Sequence, residues 1–584
     1  MGTISDKLMR IINTKEDIRK ALISKGYDVP TSIPFKEYAK MISDLPCRVD
    51  SFPDIEGIVA RYSALGLTNE QMAANPVWAD KTGNGHDLQM KNFLWGGMSG
   101  VGGYTQNFNQ YFVGVDESNR TVSDSSMKLV LLESDSQKVI YDRNSYQIGH
   151  TYNFYIKVTG IEGRMLNVNA GTLGGRIMSI TEDGIYSINV TVSDSWGQNR
   201  LYLIFPPSSS GNTVTIEQLP LYPGALVFDG VDDYGVCDNF PIPTKEKGYT
   251  VVALRQWITR GKGALGLVSN VKDWLHDGAF LLEYRNIQAD HLNKPISFGA
   301  IGSEMDLPHI LTYQTSKSYN GVSITTGNFE GTDVLHVGKL APTNVGTCIN
   351  TAIWELVFLD HDATEEELTK IKDYFVKTYP WLFPDQAWTV TGKTNEDEDR
   401  ATIANITGNG NDLVLSNFGF AEGSGYNEEG EYAGYLVTDG VDDRVVSRSF
   451  TLNKDWTIVG NWKMLQPEAN KSSGIVKQNS LFIYNHVDGL NISINDAWNF
   501  FKLKDIRSVN AICSDGRIYL NDWTEIIDSK QQIVNESVGA LVIGILGNVY
   551  TSLAFKNLGI YNNQILSKDD CIKAYNYLQT LKAK

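Results

Sequence analysis

Cysteine is scarce and unpaired in this chain. The five residues Cys47, Cys237, Cys348, Cys513 and Cys571 are odd in number, widely spaced and never in a C-x-x-C pair, which excludes a disulfide framework and a zinc knuckle. Long apolar runs are missing as well: none approaches the ~18 residues of a membrane span, and the opening Met1-Gly2-Thr3-Ile4-Ser5-Asp6-Lys7 lacks the apolar stretch of a secretory signal. A protein made in a bacterial cytoplasm is expected. Basic charge is in deficit, with 51 Lys and Arg against 68 Asp and Glu and a net charge of −17, so a phosphate backbone or an anionic membrane would be repelled. Neither nucleic acid nor membrane is expected as a partner.

Several signatures of catalysis are absent too. The eight histidines form no H-E-x-x-H or i,i+4 pair, so a metal-hydrolase centre lacks its ligands. The glycine-rich Gly96–Gly103 stretch does not end in G-K-[ST], which argues against a phosphate cradle. An E-x-D-x-E strand of paired carboxylates is not found. Thr364-Glu365-Glu366-Glu367 reads as a helix cap and Asn395-Glu396-Asp397-Glu398-Asp399 as a polar loop, both solvated charge runs. On these grounds the chain is not expected to be an enzyme.

What is present suffices for real cores: 42% of residues are hydrophobic and 11% aromatic. At about 150 residues per domain, 584 residues predict roughly four domains. The first 45 residues have helical apolar spacing, carried by Leu8, Ile11, Ile12, Ile18 and Leu22 and later by Tyr38, Met41 and Ile42. So short a module seldom buries enough apolar surface alone, so these residues are candidates for assembly with copies of the chain or with another protein, a helical hairpin folded back on the domain behind it being the alternative. β-Branched residues at both seam positions favour three strands over two, hence a homotrimer over a dimer.

After a linker at 46–53 the texture becomes β, and an internal repeat dominates. Thr82-Gly83-Asn84-Gly85-His86-Asp87-Leu88 returns as Thr407-Gly408-Asn409-Gly410-Asn411-Asp412-Leu413, and Asp229-Gly230-Val231-Asp232-Asp233 as Asp439-Gly440-Val441-Asp442-Asp443. Each copy closes with an apolar strand, a capped acidic turn and a helix (Ile353–Leu359 then Thr364 onward; Leu553–Tyr561 then Ser567 onward). Phe93 and Asp229 lie 136 residues apart, whereas Phe418 and Asp439 lie 21 apart, so the first copy carries a domain-sized insert. The expected division is 1–45 helical module, 54–101 with 223–383 first repeat, 102–222 inserted β-sandwich, and 384–584 second repeat.

The T-G-N-G-x-D-L element, Phe228-Asp229-Gly230-Val231-Asp232-Asp233-Tyr234, and the closing strand, cap and helix together resemble laminin-G/concanavalin-like lectin domains. The opening Ile4–Arg19, with Ser99–Tyr104 and with Val214–Pro220 running into Leu226–Gly230, resembles virion fibre proteins of crAss-like phages of gut Bacteroidales. The resemblance implies a mainly β chain: a short N-terminal helical module followed by tandem laminin-G-like sandwiches, the first carrying an inserted jelly-roll-like sandwich. It further implies a fibre of the virion without identifying which one, a head fibre being slightly preferred over a tail fibre, joined to capsid or other virion proteins through its N-terminus and adhering to host-surface glycans. A polysaccharide depolymerase of the virion and a bacterial surface adhesin are the competing readings.

Sugar rings stack on flat aromatic faces, so Trp95, Tyr104, Trp196, Trp274 and Trp498, each beside Gly, Asn, Asp or Ser, are the glycan candidates. The D-G-V-D-D element reads first as a tight turn. Its adjacent carboxylates are also potential Ca²⁺ ligands, although two supply too few of the six to eight oxygens that ion takes. No other cofactor is expected.

Overall fold

The computed structural model describes residues 52–583 except 106, 124, 134–135, 144–150, 172–174, 192–199, 209–210, 259–265, 273–280, 283–310, 324–328, 330, 341–347, 429–431, 466–472, 479–480, 487–488, 495–496, 503–508, 521–522, 524, 528–536 and 547–548. The assembly candidates Leu8, Ile11, Ile12, Ile18, Leu22, Tyr38, Met41 and Ile42, like Trp196 and Trp274, lie outside the described residues. Residues Ile55–Lys584 form one unit. It is mainly β, built from antiparallel sheets.

Three sheet pairs, each around its own core, follow from the sequence pattern. In the first, strand Asn350–Leu359 is central: Leu226 pairs with its Ile353, Tyr62 with Leu356 and Val252 with Val357. The facing sheet holds Leu88–Lys91, Tyr234–Cys237 and Leu335–Val337, and the two enclose Trp78, Leu88, Phe228, Val251, Ile353 and Phe358. Among the described residues, the strands of 111–218 pair only with one another, in two five-stranded sheets around Phe108, Leu129, Ile156, Leu203 and Ile216. The chain leaves and re-enters the first pair at adjoining points: Gly102 N–H donates to Ala225 C=O (2.8 Å) and Tyr222 N–H to Gly102 C=O (2.8 Å). In the third pair strand Leu553–Asn562 is central, flanked by Trp456–Met464, Gln386–Thr389 and Tyr435–Val437, over a core of Trp388, Trp456, Ile458, Ile512 and Leu558.

The two central strands are buried on both faces because each is covered by a helix as well as by a sheet. Among the described residues there are three α-helices: α1 (Asn69–Ala74), α2 (Glu365–Thr378) and α3 (Lys568–Thr580). Thr364 starts α2 with a full capping box, its hydroxyl accepting from Glu367 N–H while Glu367 reaches back to Thr364 N–H. Ser567 caps α3 through its hydroxyl, which accepts from the Asp570 N–H.

Helix α2 rests on strand Asn350–Leu359 through a buried polar cluster. Arg61 Nε lies 3.0 Å from Glu355, its Nη2 donates to Tyr374 OH (2.7 Å), and Tyr379 OH donates to Glu355 (2.8 Å). Helix α3 is buried on nearly every side at Cys571, Ala574, Tyr575, Asn576, Tyr577, Leu578 and Gln579. Besides its own sheet it meets the 111–218 strands, where Tyr155 OH donates to Asn576 Oδ1 and Asn576 Nδ2 donates to Pro220 C=O (3.2 Å). It also meets the first pair, where Gln256 Nε2 donates to Thr580 Oγ1 (3.0 Å), and the short turn Pro380–Leu382 that follows α2, where the Lys573 ammonium lies 4.3 Å over the Trp381 ring. One helix therefore touches all three sheet pairs.

Candidate functional site

The D-G-V-D-D element folds as a closed turn in both repeats. Asp229 Oδ1 accepts from Val231 N–H (2.7 Å) and Asp232 N–H (3.3 Å), and Asp439 Oδ1 accepts from Val441 (2.7 Å) and Asp442 (3.3 Å). The last carboxylate of each turn is buried and accepts from the first residue's N–H, Asp233 from Asp229 (3.0 Å) and Asp443 from Asp439 (2.8 Å). Its other oxygen accepts from a serine of the preceding loop, Ser99 Oγ at 3.0 Å and Ser424 Oγ at 3.0 Å. Gly230 (φ +78°) and Gly440 (φ +76°) sit in the left-handed region, and a Cβ at Gly230 would lie 2.7 Å from Asn350 Cβ.

The flanking loop is tied to the turn at a second point. Asn92 and Asn417, both left-handed (φ 68° and 69°), donate from Nδ2 to Asp232 C=O and Asp442 C=O at 2.9 Å each. Asn69 Oδ1 accepts from Val101 N–H (2.7 Å), as Asn395 Oδ1 does from Tyr426 N–H (2.8 Å), holding the loop's far end. The result is one rigid loop-and-turn unit built twice. Its tips carry apolar side chains in solvent: Val231 is 68% exposed, Val441 71%, and Leu94 beside the first turn 79%.

Burial raises the buried carboxyls, Asp233 to about 7 and Asp443 to about 6, against the pull of their serine and backbone hydrogen bonds. Asp229, Asp232 and Asp233 bring ligand oxygens within 4.8 Å of one another, as do Asp439, Asp442 and Asp443. Hydrogen bonds within the turn account for one oxygen of the first carboxylate and both of the last, which leaves a donor set far short of what Ca²⁺ takes.

Of the aromatic candidates, Trp95, Tyr104 and Trp498 lie among the described residues. Trp95 is half-buried and stacks on Phe93 (4.8 Å, 16°), which meets Phe228 edge-on (5.1 Å), so one face of Trp95 serves the core wall. Phe420 stands at the same place in the second repeat, tilted against Phe418 (5.9 Å) with the Arg400 guanidinium 4.9 Å from its ring. Tyr104 is half-buried where the chain enters the insert, its N–H donating to Gly97 C=O (2.6 Å). Trp498 belongs to strand Ala497–Lys502.

The acidic runs are spent locally. Glu366 pairs with Lys370 (2.8 Å) on α2, Asp397 accepts from Thr394 N–H (2.9 Å), and Asp399 pairs with Lys393 (2.6 Å). Ser99, Asn69 and the exposed Leu94 and Val231 were not singled out from sequence. A signal did exist for the first two, because Ser99 follows Asn92 by the same seven residues that separate Ser424 from Asn417, and Asn69 recurs as Asn395.

No protein-family model matches this chain, and no curated protein matches it. Among solved structures it aligns with Trypanosoma rangeli sialidase in complex with sialic acid at 9% identity, over 79% of this chain and 83% of that one, with a TM-score of 0.26. Trypanosoma rangeli sialidase in a second structure gives 9% identity, 81% and 72% coverage and 0.26. The binding domain of Paraclostridial Mosquitocidal Protein 1 gives 12%, 32% and 51%, and 0.22. These neighbours correct one expectation: the reading of the chain as no enzyme, drawn from absent motifs, is withdrawn because its structural neighbours are sialidases. At such TM-scores the likeness carries no argument for sialidase chemistry here.

Proposed function

We propose that this chain is an adhesive fibre protein of a phage virion, with tandem laminin-G-like sandwiches, the first carrying a jelly-roll-like inserted sandwich, displayed for contact with host-surface glycans. The observation that supports the reading best is the duplicated loop-and-turn unit. Two copies of one hydrogen-bonded frame, each with an exposed valine at its tip, suit repeated weak contacts whose avidity exceeds that of either alone. The frame costs little to order on binding because its hydrogen bonds are already made.

In this reading the N-terminal residues Leu8, Ile11, Ile12, Ile18, Leu22, Tyr38, Met41 and Ile42 join the chain to itself, as a trimer, and to capsid or other virion proteins, at a head fibre rather than a tail fibre. The acidic net charge of −17 keeps such a chain soluble in the host cytoplasm until particles assemble. Labelled antibody on intact particles tests it: decoration of the capsid is the expected result, and absence of label from particles overturns it. Incubation with host capsule is the companion measurement, because release of reducing ends would replace adhesion with depolymerisation.

A further inference from the structure

Between α2 and α3, the helices that close the two sequence repeats, lies a cleft of about 580 Å³, a volume within the range of ligand-binding pockets. One wall is the C-terminal half of α2, where Asp373, Val376 and Lys377 share a face at i, i+3 and i+4, with Pro380 just beyond the helix. The other is the turn Asn562–Leu566 that leads into α3, and Asp385 and Asp570 complete the lining.

The turn is fixed by residues outside the cleft. Asn453 holds it twice, its N–H donating to Asn562 Oδ1 (2.8 Å) and its Nδ2 to Asn563 Oδ1 (2.7 Å). Thr457 Oγ1 donates to Gln564 C=O (3.0 Å) and accepts from Leu566 N–H (2.9 Å). Asp385 Oδ2 accepts from Asn562 N–H (2.6 Å), which ties the turn to the segment joining the repeats. These bonds take up main-chain groups and asparagine amides, so the wall is ordered before any ligand arrives. Among the described residues the side chains of Asp373, Lys377 and Gln564 make no hydrogen bond or ion pair, and Asp373 and Lys377 are exposed while Gln564 is half-buried. Beside them stand apolar groups, Val376, Pro380 and Ile565, the last 38% exposed.

One carboxylate, one ammonium and one amide left unspent on a preformed wall make a mixed set of acceptors and donors. Hydroxyl groups both donate and accept, so a polyhydroxylated ring can engage all three while its C–H face lies on the apolar groups. An anion is disfavoured, because Asp373, Asp385 and Asp570 outnumber Lys377 in the lining. A metal ion is not indicated either, since among the described residues only the two D-G-V-D-D turns bring three possible ligands together. We propose that the cleft between α2 and α3 binds a neutral pyranose of a surface polysaccharide, Asp373 accepting from its hydroxyls and Lys377 and Gln564 donating to them. The proposal rests on the adhesion reading for its choice of a saccharide, and on the charge of the lining for its choice of a neutral one.

The test uses the full chain, titrated calorimetrically with the trisaccharides of glucose, galactose and mannose and with trigalacturonate. At least one neutral trisaccharide should bind more tightly than trigalacturonate, and the Asp373→Ala, Gln564→Ala double variant should weaken that binding about ten-fold, as for the loss of two hydrogen bonds. Lys377→Ala should weaken it less. None of these side chains has a partner in the fold, so the variants should melt with the parent, and lost binding is then not lost folding. No binding of any neutral trisaccharide, or equal or tighter binding of trigalacturonate, overturns the site. Neutral-sugar binding that the double variant leaves unchanged would overturn it while leaving adhesion standing, whereas absence of the chain from particles would remove the fibre reading and leave a neutral-sugar site intact.

Discussion

Asp233 and Asp443 show how one buried carboxyl can govern a surface loop. Each holds a serine of the flanking loop and the first N–H of its own turn, and each has its folded pKa raised, to about 7 and about 6. The folded state therefore binds more protons than the unfolded chain between the usual carboxylate value, ~3.9, and those raised values. Stability from this source is full below about pH 4 and is lost as pH rises toward about 7. Melting temperature should accordingly fall between pH 5 and 7.5 in the parent, and fall less in the Asp233→Asn, Asp443→Asn double variant; an unchanged slope would show that other groups set the profile. Glu355 belongs to the same scale. Burial pushes its carboxyl up against the opposing pull of Arg61, and the pair sits among Tyr374 and Tyr379 with almost no exposure. Removing one partner leaves a buried charge alone, so Arg61→Met should cost about 3–5 kcal/mol in denaturant unfolding. The Arg61→Met, Glu355→Leu double variant should recover much of that loss, because no lone charge remains.

At the scale of elements, α3 carries the most consequence. Its exposed positions are few because three sheet pairs abut it, through Tyr155 and Pro220, through Gln256, and through strand Leu553–Asn562. Tyr155→Phe removes one hydrogen bond to Asn576 and should lower stability by about 1 kcal/mol, with the 111–218 strands melting ahead of the rest by calorimetry. The insert itself should be separable. Gly102 and Tyr222 are already hydrogen-bonded neighbours, so replacing 102–222 by a short linker should leave the Ile353–Phe358 core folded. That deletion also uncovers Asn576 and Tyr575, and a drop in melting temperature of the remainder is expected; loss of cooperative melting altogether would mean that the insert and its host share one folding unit.

At the scale of the whole molecule, the proposed function gives assembly to the first 45 residues, for the helical apolar spacing of their sequence. Ile11→Asp with Leu22→Asp places charges in the proposed seam and should abolish oligomers while leaving the β portion folded. Sedimentation checks this directly: an oligomer of parental size in the double variant would move assembly to the sheets.

The sequence by itself determined what local rules can encode. Thr364 and Ser567 marked the starts of α2 and α3, and the D-G-V-D-D recurrence announced a turn used twice. These features depend on neighbours a few residues away, so they are readable in a linear string. The apolar runs Ile353–Leu359 and Leu553–Tyr561 were legible as strands for the same reason, but not as strands covered by helices on their outer faces. Only the tertiary structure decided that Arg61 would meet Glu355 across 294 positions, that α3 would join three sheet pairs, and that Val231 would stand in solvent while Trp95 turned one face to the core. It alone revealed Lys556 as a buried cation, for a lysine in a strand reads as surface until a bulge turns it inward. Burial is a property of what packs against a residue, and in sheets those partners come from distant strands whose register no local pattern specifies.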